Sequence, residues 1–141
     1  MLKNHKLFLF DMDGTLYIGN KLFGFTKELL AKVREKGAHY LFVTNNSSKS
    51  VDAYIEKLAN FGIHATEADF VTSSQATAYY LKQHHPGNKL YVCGTESLKK
   101  EMEKNGFVIT ENLEEVECIV MGYDTELTYK KLEDICRLPV G

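Results

Sequence analysis

Short apolar runs alternate with longer amphipathic stretches along this chain of 141 residues, and that alternation limits the fold more than any single motif does. The first run, Lys6 to Asp11, is almost continuously apolar, the pattern of a strand covered on both faces, and so reads as central in its sheet. Thr26 is placed to cap a following helix in which Leu29, Leu30 and Val33 share a stripe, and Gly37 stands where a left-handed residue would end it. A second strand follows over His39 to Thr44. Ser50 can cap the next helix, whose Val51, Tyr54, Ile55 and Leu58 recur at helical spacing as far as Gly62. A third strand over Phe70 to Thr72 and a helix from about Gln75 to Gln83 complete three strand-helix units, which predict a parallel sheet with right-handed crossovers.

Pro86 and Gly87 break the pattern, after which it restarts. Lys89 to Cys93 reads as a strand, Glu96 to Asn105 as a helix, "FVI" as a strand, and Cys118 to Tyr123 as another. Thr128 is placed to cap a last helix from Tyr129, with Leu127 and Leu132 spaced as a hydrophobic staple. Residues 1–86 and 87–141 are therefore expected to form two α/β units. The last helix is still in full pattern at Ile135, Cys136 and Leu138 and no strand follows, so the second unit reads as cut short.

Net charge is -2, and no basic run with interleaved aromatics suggests a nucleic-acid partner. No apolar run approaches the roughly 18 residues of a membrane span, and the opening "MLKNHK" is too short and polar for a signal peptide, so a soluble, cytoplasmic chain is expected. Cys93, Cys118 and Cys136 lie far apart in apolar surroundings and read as buried reduced thiols.

Two carboxylates, Asp11 and Asp13, leave the first strand at its carboxyl end with Gly14 directly after them, and Thr44, Asn45 and Asn46 leave the second strand at the same end. Open parallel sheets bind ligands outside those ends, so the two groups are expected to share a crevice. Paired carboxylates repel unless a cation or shared proton compensates, and hard oxygen donors select Mg²⁺. Gly14 lets the backbone turn tightly and approach a ligand, and the Thr44 hydroxyl with loop N–H groups at Asn45 and Asn46 can donate to anionic oxygens. The crevice suits a phosphoryl group, with one carboxylate attacking phosphorus and the other moving protons.

"DMDGTL" after "LFLF", and "FVTNNSSKS" after a helix and Gly37, resemble the first two signature segments of the haloacid dehalogenase superfamily. "VTSSQATAYYL" and "VMGYDTELTYKKL" narrow the resemblance to its NagD-like branch, which includes p-nitrophenylphosphatases and sugar-phosphate phosphatases. The resemblance covers the chain to about Leu138 and implies a Rossmann-like partial core followed by the first part of an inserted α/β cap. It further implies that Asp11 is nucleophile and Mg²⁺ ligand, and that Asp13 is acid/base with its backbone carbonyl on the metal. Thr44, Asn45 and Asn46 would bind the phosphoryl group of a small phosphorylated metabolite.

The family also uses a lysine after the cap and a "GD" acid on a fourth core strand, and neither has a counterpart here. By the same resemblance that fourth strand would lie beside the first, so its absence implies an apolar edge at Leu7 to Phe10 that invites self-association. A truncated phosphatase with little turnover of its own is the expectation, and a non-catalytic half-fold that binds a partner is the alternative. A phospho-accepting receiver domain would want an aspartate after the third strand, where "FVTSS" has none, and a dinucleotide site would want a G-x-G-x-x-G. "CGTES" reads as a simple strand-to-helix turn, His84, His85 and the glutamates from Glu111 to Glu117 as solvated loop residues, and Tyr79 and Tyr80 as packing residues. Asp124 has no role legible in the sequence.

Overall fold

The computed structural model describes residues 6–46 and 48–138. Its elements in chain order are β1 (Leu7–Asp11), β2 (Tyr17–Ile18), β3 (Lys21–Leu22), α1 (Thr26–Glu35), β4 (His39–Thr44), α2 (Val51–Asn60), β5 (Phe70–Thr72), α3 (Ser73–His84), β6 (Lys89–Cys93), α4 (Glu96–Lys104), β7 (Val108–Ile109), β8 (Cys118–Met121) and α5 (Tyr129–Arg137). They form an α/β fold in two compact units. One runs to Thr44 and resumes over Val51–Thr72, and the other holds Asn45–Ser50 and the chain from Ser73 onward.

In the first unit β1, β4 and β5 form a parallel sheet in that order, with Asp11 opposite Val43 and Thr44 opposite Thr72. Period-two alternation sends Phe8, Phe10, Tyr40, Phe42 and Phe70 to one face. There they meet Leu30 and Val33 of α1, Tyr54 and Leu58 of α2, and Met12, Leu16 and Tyr17 from the segment after β1. The opposite face carries Leu7 and Leu9, 53% and 62% exposed, and Val71, 39% exposed. The expectation that β1 is central and covered on both faces is therefore corrected: among the described residues it is an edge strand with one bare apolar face.

Two further expectations change in this unit. The segment after β1 is not a plain loop, because β2 and β3 pair antiparallel about Gly19 and Asn20, with Gly19 at φ +54°. Thr26 is also not the cap of α1. It is the first helical residue, fully buried, and its hydroxyl donates to the Leu16 carbonyl at 2.7 Å, tying the helix start to the hairpin. Gly37 and Gly62 end α1 and α2 at φ +71° and +82°, as their placement in the sequence requires.

In the second unit β6 lies between β7 and β8 in a parallel sheet. One core joins Ala78 and Leu81 of α3 to Leu90, Val92, Leu98, Met102, Phe107 and Val120, and a smaller cluster gathers Tyr91, Cys93 and Leu138. Helix α3 starts at Ser73, two residues before the periodic pattern begins, and β8 ends at Met121, two before the apolar run does. Thr95 and Thr128 cap α4 and α5, their hydroxyls accepting from the Leu98 and Lys131 amides. Leu127 and Leu132, expected as a staple, remain exposed. Of the cysteines only Cys93 is buried, Cys118 being partly exposed and Cys136 exposed. Tyr79 and Tyr80 also face solvent, Tyr80 lying 4.4 Å from the His84 ring.

Candidate active site

β1 ends at Asp11, and the chain then folds into tight turns in which the Thr15 and Leu16 amides donate to the Met12 carbonyl and the Gly14 amide donates to the Tyr17 carbonyl. Gly14 sits at φ +81°, a conformation that L side chains rarely adopt, so glycine is needed there for the turn itself. Met12 is fully buried, which leaves the residues on either side, Asp11 and Asp13, with exposed side chains. Asp11 accepts a hydrogen bond from the Thr15 hydroxyl at 3.2 Å. Thr15 is the fifth residue of "DMDGT", and the bond holds one carboxylate oxygen of Asp11.

Asp13 has a different environment. The Tyr54 hydroxyl of α2 donates to its Oδ2 at 3.4 Å, and the same hydroxyl lies 3.3 Å from the Thr44 hydroxyl at the end of β4. Tyr54 and Thr44 are both buried, so the three form a polar chain running from the core to the surface carboxylate. Tyr17 is buried nearby, and its hydroxyl finds no hydrogen-bond partner. Burial first, and then the negative charge of Asp13, raise the Tyr17 phenol above its ordinary range and keep it protonated. The Lys57 ammonium stands 4.3 Å from the centre of the same ring.

The structure thus joins Asp13 to Thr44 through Tyr54, a residue that periodicity marks only as a core position of α2. Its hydroxyl was the available signal: a buried tyrosine needs a partner for its O–H, and an acid or hydroxyl at a strand end supplies one. Asn45 and Asn46 belong to the second unit. There the Asn45 carbonyl accepts from the Ser73 hydroxyl at 3.1 Å, and the Asn46 side-chain oxygen accepts the Ser48 amide at 2.9 Å. A cleft in that unit is lined by Asn45, Ser73, Ser74 and Thr77 on its polar side and by Leu98 and Met121 on its apolar side.

Asp124, for which the sequence indicates no role, is an ion-pair residue. The Lys131 ammonium of α5 lies 2.9 Å from its carboxylate and also donates to the Gly94 and Glu126 carbonyls, both at 3.1 Å. Asp134, one turn along, is buried and accepts from Lys130 at 2.7 Å and from the Tyr91 hydroxyl at 2.9 Å. Lys130 and Lys131 are thus bound within the second unit.

The donors that Asp11 and Asp13 offer at and just beyond the end of β1 are carboxylate oxygens. That set fits a hard divalent cation that keeps part of its water shell. Among the described residues no group of three or more histidine, cysteine or acidic side chains gathers to hold a metal by itself.

Residues 8–108 match the family model of the haloacid dehalogenase-like hydrolases, and the chain belongs to that family. Its relatives are NagD-like phosphatases and nucleotidases. The 5'-nucleotidase YutF of Bacillus subtilis is 36% identical over 96% of this chain and 52% of its own length. The acid sugar phosphatase of Staphylococcus aureus is 37% identical over 93% of this chain and 50% of its own length. Among solved structures, a 4-nitrophenylphosphatase of Thermotoga maritima superposes with TM-score 0.90 at 36% identity, covering 96% of this chain and 51% of that one. The glycerol phosphate phosphatase of Mycobacterium tuberculosis, crystallised with magnesium, superposes with TM-score 0.85 at 32% identity over 94% of this chain and 40% of that one. The chain spans about half the length of the curated relatives it matches.

Proposed function

We propose that the residues at the ends of β1 and β4 serve Mg²⁺-dependent hydrolysis of small phosphomonoesters, such as sugar phosphates or p-nitrophenyl phosphate, through an aspartyl-phosphate. The observation that carries this reading is the placement of Asp11 and Asp13 at the carboxyl end of β1, with Asp13 tied through Tyr54 to Thr44 at the end of the neighbouring strand. Asp11 attacks phosphorus, and its Oδ–P bond forms as the bond to the leaving oxygen breaks. Asp13 delivers a proton to that leaving oxygen. Water then attacks the phosphorus of the aspartyl-phosphate, Asp13 takes a proton from it, and inorganic phosphate leaves with the Asp11 carboxylate restored.

Thr44, Asn45 and Asn46 act in this reading as donors to the phosphoryl oxygens, and Gly14 allows close backbone approach. Asp11 and Asp13 would hold Mg²⁺, which supplies charge neutralisation of the phosphoryl oxygens when bound. Residues 1–86 would be the first part of the core and 87–141 the beginning of the cap.

The test is hydrolysis of p-nitrophenyl phosphate with and without Mg²⁺, by the 141-residue chain and by the chain extended with the second half of a relative. Mg²⁺-dependent turnover in the extended form, lost in Asp11→Asn, is the expected result; turnover that survives Asp11→Asn overturns the reading. One observation favours a second reading, a binding half-fold without turnover: among the described residues β1 is an open edge beside a site at which no third acid gathers. An extended chain that binds Mg²⁺ and stays inactive would support it.

A further inference from the structure

We infer that Tyr54 is a positioning residue that couples Asp13 to Thr44. This rests on the phosphatase reading for its use but not for its existence. A phenol hydroxyl carries one proton. Here it lies 3.4 Å from Asp13 Oδ2, for which it is a donor, and 3.3 Å from Thr44 Oγ1. The carboxylate accepts only, so the phenol proton goes to Asp13 and the Thr44 hydroxyl donates to the Tyr54 oxygen. Three oxygens on β4, α2 and the turn after β1 are thus set in one order, from Thr44 to Tyr54 to Asp13.

The ring that holds this order has little freedom. Tyr54 is 1% exposed and its centroid lies 6.3 Å from that of Phe70, so the hydroxyl is delivered from a fixed point in the core. A carboxylate on an exposed turn otherwise has free rotation about two bonds. Hydrogen-bonding it to a core residue confines it before any ligand arrives, which is the way a supporting residue sharpens a site. The residue that moves protons and the residue that grips the phosphoryl group would then share one strut, so a disturbance at either is felt at the other. Tyr17 offers an internal comparison, since it is buried beside the same carboxylate and feels its charge, but its hydroxyl makes no hydrogen bond of good geometry.

The experiment is NMR on the 141-residue chain, read at the Thr44 amide and methyl groups without substrate or metal. Asp13→Asn is expected to move the Thr44 signals in the otherwise unaltered chain. In a Tyr54→Phe background the same substitution should move them less by about threefold or more, and in a Tyr17→Phe background it should act at full size. An equal response in the Tyr54→Phe background, or no response in the unaltered chain, overturns the proposal. A chain carrying 3-fluorotyrosine repeats the test with Tyr54 in place: its fluorine signal should shift with Asp13→Asn and with Thr44→Val, and a signal indifferent to both overturns it as well. Hydrolysis assays on the extended chain keep the two questions apart. Coupling here with no turnover in the chain extended by a relative's second half would sink the phosphatase reading alone, and turnover of the extended chain without coupling would sink this one alone.

Discussion

Asp134 shows how a single side chain sets a pH limit on the second unit. It is buried on α5, and the Lys130 hydrogen bond first, with the Tyr91 hydroxyl helping, holds its carboxyl below the ordinary carboxylate range. A carboxyl whose pKa is lower folded than unfolded contributes stability that is complete above the unfolded value, near 4, and is lost as pH falls through the folded value. Urea denaturation of the intact chain should therefore show stability declining below about pH 4. Asp134→Asn should flatten that decline, and an unchanged slope would count against the pairing. Legibility at this scale depends on whether a partner is near in sequence. Asp11, Asp13 and Thr44 are readable because strand ends announce them. Tyr54 and Asp124 are not, because their partners lie 41 and seven residues away and only folding brings them together.

Among the elements, the start of α1 is held from outside the helix. Thr26→Val would remove one of the two hydrogen bonds that the Leu16 carbonyl accepts, the one from the Phe23 amide at 3.1 Å remaining, at a cost of about 1 kcal/mol in chemical denaturation. The sequence alone points to a cap because a threonine before an apolar stripe has the right chemistry, and nothing local reveals that the hairpin lies above it. The hairpin is not read from the sequence even though Gly19 and Asn20 are a two-residue turn pair between Tyr17-Ile18 and Lys21-Leu22, because two-residue strands leave too little alternation to catch. β1 misleads for another reason. An unbroken apolar run reads as a strand covered on both sides, whereas the described residues cover one. Copies of the 141-residue chain are accordingly expected to associate through this edge. Sedimentation should show mass above the monomer that falls to the monomer in Leu9→Lys, and a monomer in both would rule the edge out.

For the whole molecule, the alternation of strands and helices settles an α/β architecture before any contact is known, and the parallel pairing follows from crossover length. The division into units is less readable, because α3 follows a strand of one unit and packs its Ala78 and Leu81 with β6 and α4 of the other. No helix among the described residues is long and apolar enough to cross a membrane. With relatives about twice as long, extension of the chain with a relative's second half should raise thermal stability, and scanning calorimetry on both forms would measure it. The edge position of β1 also leaves a rhythm in time. In a parallel strand successive residues address opposite neighbours, so with β4 alone beside it, β1 has alternate amides locked and alternate amides idle. Placed in heavy water, Leu7 to Asp11 would take up deuterium every second residue, fast beside slow, and a newly arrived neighbour would be recorded as the fast ones falling silent.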